Sequence, residues 1–545
     1  MADAVVDEVE AWIAEDPDPG ARAELRGLLD RWPSSADDLA DRFSGPLRFG
    51  TAGLRGRLRA GPNGMNLAVV RRAAAGLVAW LDSQRAAGPL VIGYDARHRS
   101  AEFAAETARV ATGAGRAALV LSRPLPTPVL AHAVRAVGAA AGVMVTASHN
   151  PPEDNGYKVY LGAQLGGATG AGAQIAEPVD GGIEAAIRAV GPTSAVALGG
   201  SGTPVGEEVI ESYLAGATSV VDPDTPRDLA VAYTPLHGVG GGILVEAMTR
   251  AGFPAPEVVT DQAAPDPDFP TVPFPNPEEP GAMDRVLALA ATTGADLAIA
   301  NDPDADRCAV AVPDAGGWRM LHGDEVGVLL ADHLMRRGVA GRYVTTVVSS
   351  SLLRAICAAR RVPYAETLTG FKWIVRAGAD LAYGYEEALG YCVAPQLVRD
   401  KDGITAALLV CELAAGLRSE LRTLVERLDE LAAEFGVHAT EQLSVRTPRQ
   451  AEIADIMARV RAAPPASLLD EPVTSVADRA PAAEVLVLRT ATSRVVVRPS
   501  GTEPKLKAYL EVVEPAGGDV AAARERARAG LRALRTEITA ALGLE

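Results

Sequence analysis

Apolar positions along the chain change texture three times. Near the start, Val5, Val9, Trp12 and Ile13 recur at helical spacing, and Asp16-Pro17-Asp18-Pro19-Gly20 ends that helix. From about residue 89, short apolar runs (89–94, 117–121, 142–147) alternate with alanine-rich helical stretches (101–111, 129–137). Such alternation predicts parallel βαβ units whose strands are buried on both faces. The pattern recurs twice. Residues 228–234 lead into a glycine-rich turn, His237-Gly238-Val239-Gly240-Gly241-Gly242, and a helix, and 296–300 run into an acidic loop. Then 342–348, a helix over 351–360 and 381–385 form a third copy. Beyond about 437 the strands 484–489, 494–497 and 507–514 crowd together, followed by a long helix from 519. That is an α+β pattern rather than another βαβ unit.

The expected organisation is therefore three related doubly wound α/β domains and a C-terminal α+β domain. The divisions fall at 1–222, 223–318, 319–436 and 437–545, the first carrying an N-terminal helical extension. Two segments read as loops: 161–206, rich in Gly and Ala, and 263–280, rich in Pro.

Composition narrows the function. Fifty-two Lys and Arg against 69 Asp and Glu leave a net charge of −17, so no diffuse positive field exists for nucleic acid or an anionic membrane. Aromatic residues make up only 4%, which disfavours base-stacking platforms. Cys308, Cys357, Cys392 and Cys411 form no CxxC pair and read as buried thiols of a reducing compartment. With no run of 18 apolar residues and an acidic N-terminus, a cytoplasmic location is expected.

Four loops could carry chemistry. Thr146-Ala147-Ser148-His149-Asn150-Pro151 follows a strand directly, where ligands sit in open α/β sheets. Ser148 there is either a nucleophile, with His149 and Lys158 as proton acceptor and phosphate contact, or merely a capping residue of a turn. Asp302-Pro303-Asp304-Ala305-Asp306-Arg307 places three carboxylates at alternate positions, as a hard cation requires. It is no EF-hand, because Arg307 and Pro313 stand where Gly and Glu would be needed. Its bland alternative is a solvated acidic turn. Glu386 and Glu387, again after a strand, could accept sugar hydroxyls or open a helix. Arg498-Pro499-Ser500-Gly501-Thr502-Glu503-Pro504-Lys505 combines Arg, Lys, two hydroxyls and exposed N–H groups, a set suited to an anion. The turn at 237–242 is not GxGxxG, and no P-loop occurs. His98, His132, His322, His333 and His438 are scattered and read as surface or satisfied core residues.

Taken together and in this order, TASHNP, DPDADR and RPSGTEPK make the chain from about residue 40 onward resemble the α-D-phosphohexomutase superfamily, the phosphoglucomutases and phosphomannomutases. The resemblance implies four domains around one central cleft, each giving one loop. It implies that Ser148 carries a phosphate in the resting enzyme. Asp302, Asp304 and Asp306 would hold Mg²⁺, with an oxygen on Ser148 completing the site. Lys158 would act in proton transfer, while Thr51 and Arg55, in Gly50-Thr51-Ala52-Gly53-Leu54-Arg55-Gly56, would approach the transferred phosphate. Arg307 follows the aspartates as in the family motif. Glu386 and Glu387 would recognise the sugar, and Thr369, Lys372 and Lys401 would lie near the ligand. Arg498, Ser500, Gly501 and Thr502 would grip the phosphate that is not transferred.

The implied reaction interconverts glucose 1-phosphate and glucose 6-phosphate, or mannose phosphates, through glucose 1,6-bisphosphate as activator and intermediate. The partners implied are small sugar phosphates, and the chain a monomer or homodimer. Ala388 or Leu389 stands where the family has serine, and Tyr391 where histidine is common. This leaves a pentose phosphate mutase as an alternative. A Mg-dependent phosphatase and a silent binding protein are others.

Overall fold

The computed structural model describes residues 2–50, 53–314, 316–446, 450–480, 483–499 and 505–543. The N-terminal extension is three helices rather than one: Ala2–Glu15, Pro19–Leu29 and Ala36–Arg42. The Asp-Pro stretch ends the first and starts the second, because Asp18 accepts the Gly20 N–H and Pro19 takes the first helical position.

Three α/β units follow, each built on its own sheet. In the first, Thr203–Val205, Ala118–Leu121, Leu90–Tyr94 and Ala141–Val145 run parallel. In the second, Glu257–Val258, Val231–Thr234 and Leu297–Ala300 do so, and in the third Tyr364–Thr367, Arg342–Thr346 and Leu381–Glu386. Each parallel run then ends in a reversal. The strand that follows is antiparallel: Asp154–Leu161, Ala309–Asp314 and Gly390–Cys392 respectively. The loops holding Ser148, the three aspartates and the two glutamates are these three reversals. The hydrophobic pattern predicts parallel strands alone. It misses the antiparallel members because they lack a clean apolar run: Asp154–Leu161 carries Asn155 and Lys158, and Gly390–Cys392 is only three residues long.

The segment expected as a loop over 161–206 is largely ordered into helices Ala163–Gly170 and Val179–Arg188 and the edge strand Thr203–Val205. Its glycines allow close packing: the Gly182 Cα sits against helix Leu67–Ser83 so tightly that a Cβ would lie 2.8 Å from the Trp80 Nε1. The segment 263–280 contains no helix or strand, as its prolines dictate. Strand Gly317–Met320 runs through position 318, so the second sheet continues past the expected division there.

A single buried cluster joins the three units, with helix Gly403–Ser419 in the middle. That helix is apolar on all sides, which only full burial explains. The C-terminal domain is a five-stranded antiparallel sheet with helices Gln450–Ala462 and Val520–Leu542 packed on one face. Alternation along strand Ser493–Pro499 sends Val495 and Val497 to that helical face. Val496 goes to the other, against Val347 and Val348 of the third unit. Arg494 and Arg498 share the Val496 face and so point toward the third unit. Among the described residues no helix is long and apolar enough to cross a membrane.

Candidate active site

Ser148 sits at the first reversal in left-handed backbone, φ 53°, and is almost fully buried. Its N–H donates to Thr146 Oγ1 over 2.8 Å. Its Oγ donates to Asp302 Oδ2 at 2.8 Å and stands 3.1 Å from His149 Nδ1. The serine is therefore aimed at the acidic loop, not turned back to cap its own turn.

The three carboxylates have no solvent exposure, and one oxygen from each lies within 4.8 Å of the others. Lys158 Nζ donates to Asp304 Oδ2 at 2.7 Å and to Asp306 Oδ2 at 3.1 Å. Lys401 Nζ stands 3.2 Å from the same Asp306 oxygen. Thr127 Oγ1 donates to Asp304 Oδ2 at 2.6 Å, and the Arg307 N–H to Asp302 Oδ1 at 3.0 Å. Asp304 Oδ1 and Asp306 Oδ1 are buried with no hydrogen-bond partner among the described residues. Two orphaned anionic oxygens beside a third carboxylate and a serine oxygen are a donor set that fits a hard divalent cation. The solvated-turn alternative fails, since nothing here is solvated.

Glycines outside the loop give it room. A Cβ at Gly238 would lie 2.4 Å from the Pro303 Cα, and one at Gly403 2.2 Å from the Arg307 carbonyl oxygen. The turn at 237–242 thus backs the acidic loop, while the Val239 N–H donates to the Pro303 carbonyl. Helix Gly403–Ser419 starts directly against it.

Charge crowding sets the protonation pattern. Burial, then Asp304 and Asp306, pushes the Asp302 carboxyl well above its usual range. At Asp304 burial acts the same way, but Lys158 overrides it and holds the group low. Burial pulls Lys158 down, yet Asp304 and Asp306 together raise it, so the amine is charged here. Burial, followed by Arg307 and Arg55, drives His149 well below its ordinary value, leaving a neutral ring. Arg55 is also lowered, by burial. Its Nη1 donates to Asn150 Oδ1 at 3.3 Å, which places it on the Ser148 loop. Arg307 reaches Glu278 at 3.2 Å.

The third reversal is a tight turn, not the start of a helix. The Gly370 N–H donates to Glu386 Oε1 at 2.7 Å, tying this loop to the turn that holds Thr369. Glu387 Oε2 accepts from Ser349 Oγ at 3.1 Å and Thr346 Oγ1 at 3.3 Å, and burial, then Glu386, raises its pKa to about 7. Leu389 turns into the core of the second unit, and its carbonyl accepts the Cys308 N–H. Tyr391 is buried, with its hydroxyl toward the Gly323 carbonyl. Of the residues at the unusual positions, Leu389 and Tyr391 are buried, while Ala388 is half-buried. Lys372 Nζ is 3.6 Å from Asp180 Oδ2, which sets it on the first unit rather than in the carboxylate cluster.

Arg498 lies half-buried opposite Lys507 on the neighbouring strand. Lys507 is pulled below its usual value by burial, against the opposing pull of Glu387 and with Arg498 adding to it. Arg498 and Lys507 thus form a positive pair facing Glu387. Thr51, Ser500, Gly501 and Thr502 lie outside the described residues.

Sequence reading missed Thr127 and Lys507, and it placed Lys401 only near the ligand rather than on Asp306. Lys507 could have been found by the two-residue alternation with Tyr509 on the cleft face. Nothing in the sequence marks Thr127. The scattered histidines are accounted for: His98 meets Asp268, His132 Ser212, His333 Glu412, His438 Ser351, and His322 caps a helix.

Comparison with known proteins agrees with this geometry. Models of phosphoglucomutase/phosphomannomutase α/β/α domains I, II and III match residues 46–192, 211–317 and 322–435, and the C-terminal domain model matches 443–527. A probable phosphomannomutase of Haemophilus influenzae is 44% identical over 82% of this chain and 93% of its own length. A phosphoglucomutase of Staphylococcus epidermidis is 32% identical, covering 88% and 93%. A human phosphopentomutase is 31% identical, covering 94% and 92%. A crystal structure from Thermus thermophilus, provisionally assigned to the phosphomannomutases, superposes with a TM-score of 0.71 at 27% identity, over 91% of this chain and 99% of that one. The chain belongs to the phosphoglucomutase/phosphomannomutase family, whose members are phosphosugar mutases of the α-D-phosphohexomutase superfamily.

Proposed function

We propose that this mutase interconverts the 1-phosphate and 6-phosphate of glucose, and secondarily of mannose, by lending a phosphoryl group from Ser148. The observation that supports this most directly is the Ser148 Oγ lying 2.8 Å from Asp302 inside the buried carboxylate cluster. In this reading the chemistry is the one the family resemblance implies. The Oγ–P bond of phosphorylated Ser148 breaks as a sugar hydroxyl oxygen bonds to phosphorus, and the hydroxyl proton passes to a base. The bisphosphate turns end for end, and its other phosphate returns to Ser148. Asp302, Asp304 and Asp306 would hold a divalent cation such as Mg²⁺, which when bound neutralises phosphoryl charge.

Lys158 has the position and electrostatics for the proton. Burial alone lowers its pKa, and only the two carboxylates hold it up. Whatever neutralises those carboxylates frees a proton-accepting amine. Neutral His149 is the second candidate. Arg55 on the Ser148 loop is suited to the transferred phosphate, and Arg307 and Lys401 to charge at the rim. Glu386 and Glu387, with Thr369 and Lys372 behind them, suit sugar hydroxyls. Arg498, with Ser500, Gly501 and Thr502 as further members, suits the phosphate left in place, while Thr51 goes with Arg55 to the transferred one.

A pentose phosphate is the second reading. It is supported by Ala388 or Leu389 standing where the family has serine, Tyr391 where histidine is common, and by the phosphopentomutase that matches 94% of the chain. Coupled assays on glucose 1-phosphate, mannose 1-phosphate and ribose 1-phosphate, with Mg²⁺ and glucose 1,6-bisphosphate, decide among them. The highest kcat/KM is expected for glucose 1-phosphate, and a ribose preference would replace that substrate. Consumption of the bisphosphate without stimulation of turnover would mean a phosphatase instead.

A further inference from the structure

Arg97 makes a set of contacts that the reaction as described leaves unexplained. It lies three residues past the end of strand Leu90–Tyr94, beside the strand that delivers Ser148, and is almost fully buried. Its guanidinium donates to four backbone carbonyls of one loop. Nη2 reaches the Ser148 oxygen at 2.6 Å and the Asn150 oxygen, while Nη1 reaches Pro151 at 2.8 Å and Asp154 at 3.3 Å. Asp95, whose carboxylate lies 3.5 Å from the Arg97 Nε, balances the charge. Asp95 is itself fixed by the Ser100 hydroxyl at 2.6 Å. The Phe269 ring of the second unit covers the guanidinium at 4.9 Å.

We infer that Arg97 is a positioning residue that fixes the nucleophile loop by gathering its carbonyls onto one planar cation. Ser148 is held in left-handed backbone, which costs free energy for a non-glycine residue and persists only where its surroundings enforce it. The loop between Val145 and Asp154 is a reversal, so most of its carbonyls find no strand partner. Arg supplies five N–H groups in a fixed plane, and no other side chain could serve four such oxygens. Phe269 sets this clamp against the unit that contributes Asp302, so one residue registers the nucleophile relative to the cluster it must face. A displacement of about 1 Å at such a point can cost on the order of a hundredfold in rate.

The inference rests on reading Ser148 as the phosphate carrier. Its test uses the full chain with Arg97→Lys, Arg97→Met and Phe269→Leu, assayed on whichever sugar phosphate the wild type turns over best. Kinetics, intact mass and thermal melting are compared. Arg97→Lys keeps the charge beside Asp95 but cannot reach four carbonyls. It is expected to melt cooperatively and carry phosphate on Ser148, with KM within about threefold of wild type and kcat down at least about tenfold. Arg97→Met should lose about a hundredfold in kcat, and Phe269→Leu about threefold, again with little change in KM. A kcat within about twofold of wild type for Arg97→Lys would overturn the inference, as would a raised KM at unchanged kcat, which would put Arg97 on the substrate. Failure of both Arg97 variants to fold would overturn it too, assigning Arg97 to the stability of the first unit. Absence of phosphate on wild-type Ser148 would instead remove the underlying reading, so the two failures are distinguishable.

Discussion

The Ser148 end and the Arg498 end of the site are built on opposite plans. At the Ser148 end the three aspartates, Lys158 and Arg97 are buried and already have partners: Lys158 spans two aspartates, the half-buried Lys401 meets one of them, and Arg97 gathers four carbonyls. At the Arg498 end the residues are half-buried, on the rim of a sheet, and the acid facing them is neutral or charged depending on pH. Bond making needs fixed geometry in a dry site, because displaced dipoles and water both weaken stabilisation of the transferring group. Anchoring needs tolerance, because a reorienting bisphosphate presents first one end and then the other. On the proposed mechanism, rigidity is concentrated where the phosphorus would move and withheld where the sugar would turn.

The contrast yields graded expectations. Ser148→Ala should abolish turnover, by about 10⁴-fold or more, with intact mass showing no phosphate and circular dichroism unchanged. Residual activity near wild type would mean that the rigid end has no covalent role. Asp304→Asn should cost about 10²–10³-fold in kcat, with exhaustive chelation having a comparable effect on wild type. Since Asp304 also holds Lys158 and Thr127, its loss should exceed that of Asp302→Asn in melting temperature. Arg498→Ala and Arg498→Lys should both raise KM by about 10- to 100-fold while Ser148 stays phosphorylated, the Lys variant failing because it cannot bind a phosphate in a forked geometry. An unchanged KM would erase the difference between the two ends. The smallest effect concerns Glu387. Its carboxyl titrates at about 7 when folded, against 4.5 when unfolded, so its contribution to stability is present at low pH and lost as pH rises from 4.5 through about 7. Glu387→Gln should therefore flatten the decline in melting temperature across that window by a few degrees, about the size expected of a partly solvated group.

Legibility in the sequence followed the same division. Ser148 and the aspartates stand in contiguous loops straight after apolar strands, so short-range pattern was enough to find them. Arg97, Thr127 and the Asp306 contact of Lys401 act between segments far apart in the chain, and no local spacing reports a contact of that kind. The 161–206 segment misled for a compositional reason. Gly and Ala there mark tight packing of helix Val179–Arg188 on helix Leu67–Ser83, where a flexible connection was expected. The strand Asp154–Leu161 hid because Asn155 and Lys158, polar yet buried, break the apolar run that would have announced it.

The hydrogen bond from Ser148 to Asp302 joins positions 154 apart in sequence, and Lys158 reaches partners 146 and 148 residues downstream. During synthesis the first unit emerges well before its partners, at rates of about 5–20 residues per second. For that interval of roughly ten seconds Lys158 has no counter-charge, and the amine must stay hydrated rather than be packed away. The nascent first unit is consequently looser around its own nucleophile than the finished enzyme. Completion of the acidic loop is the event that draws the lysine inward and closes that part of the molecule. Final consolidation of the first unit thus waits for the acidic loop, and the complete site waits longer, for Lys401, Glu387 and Arg498.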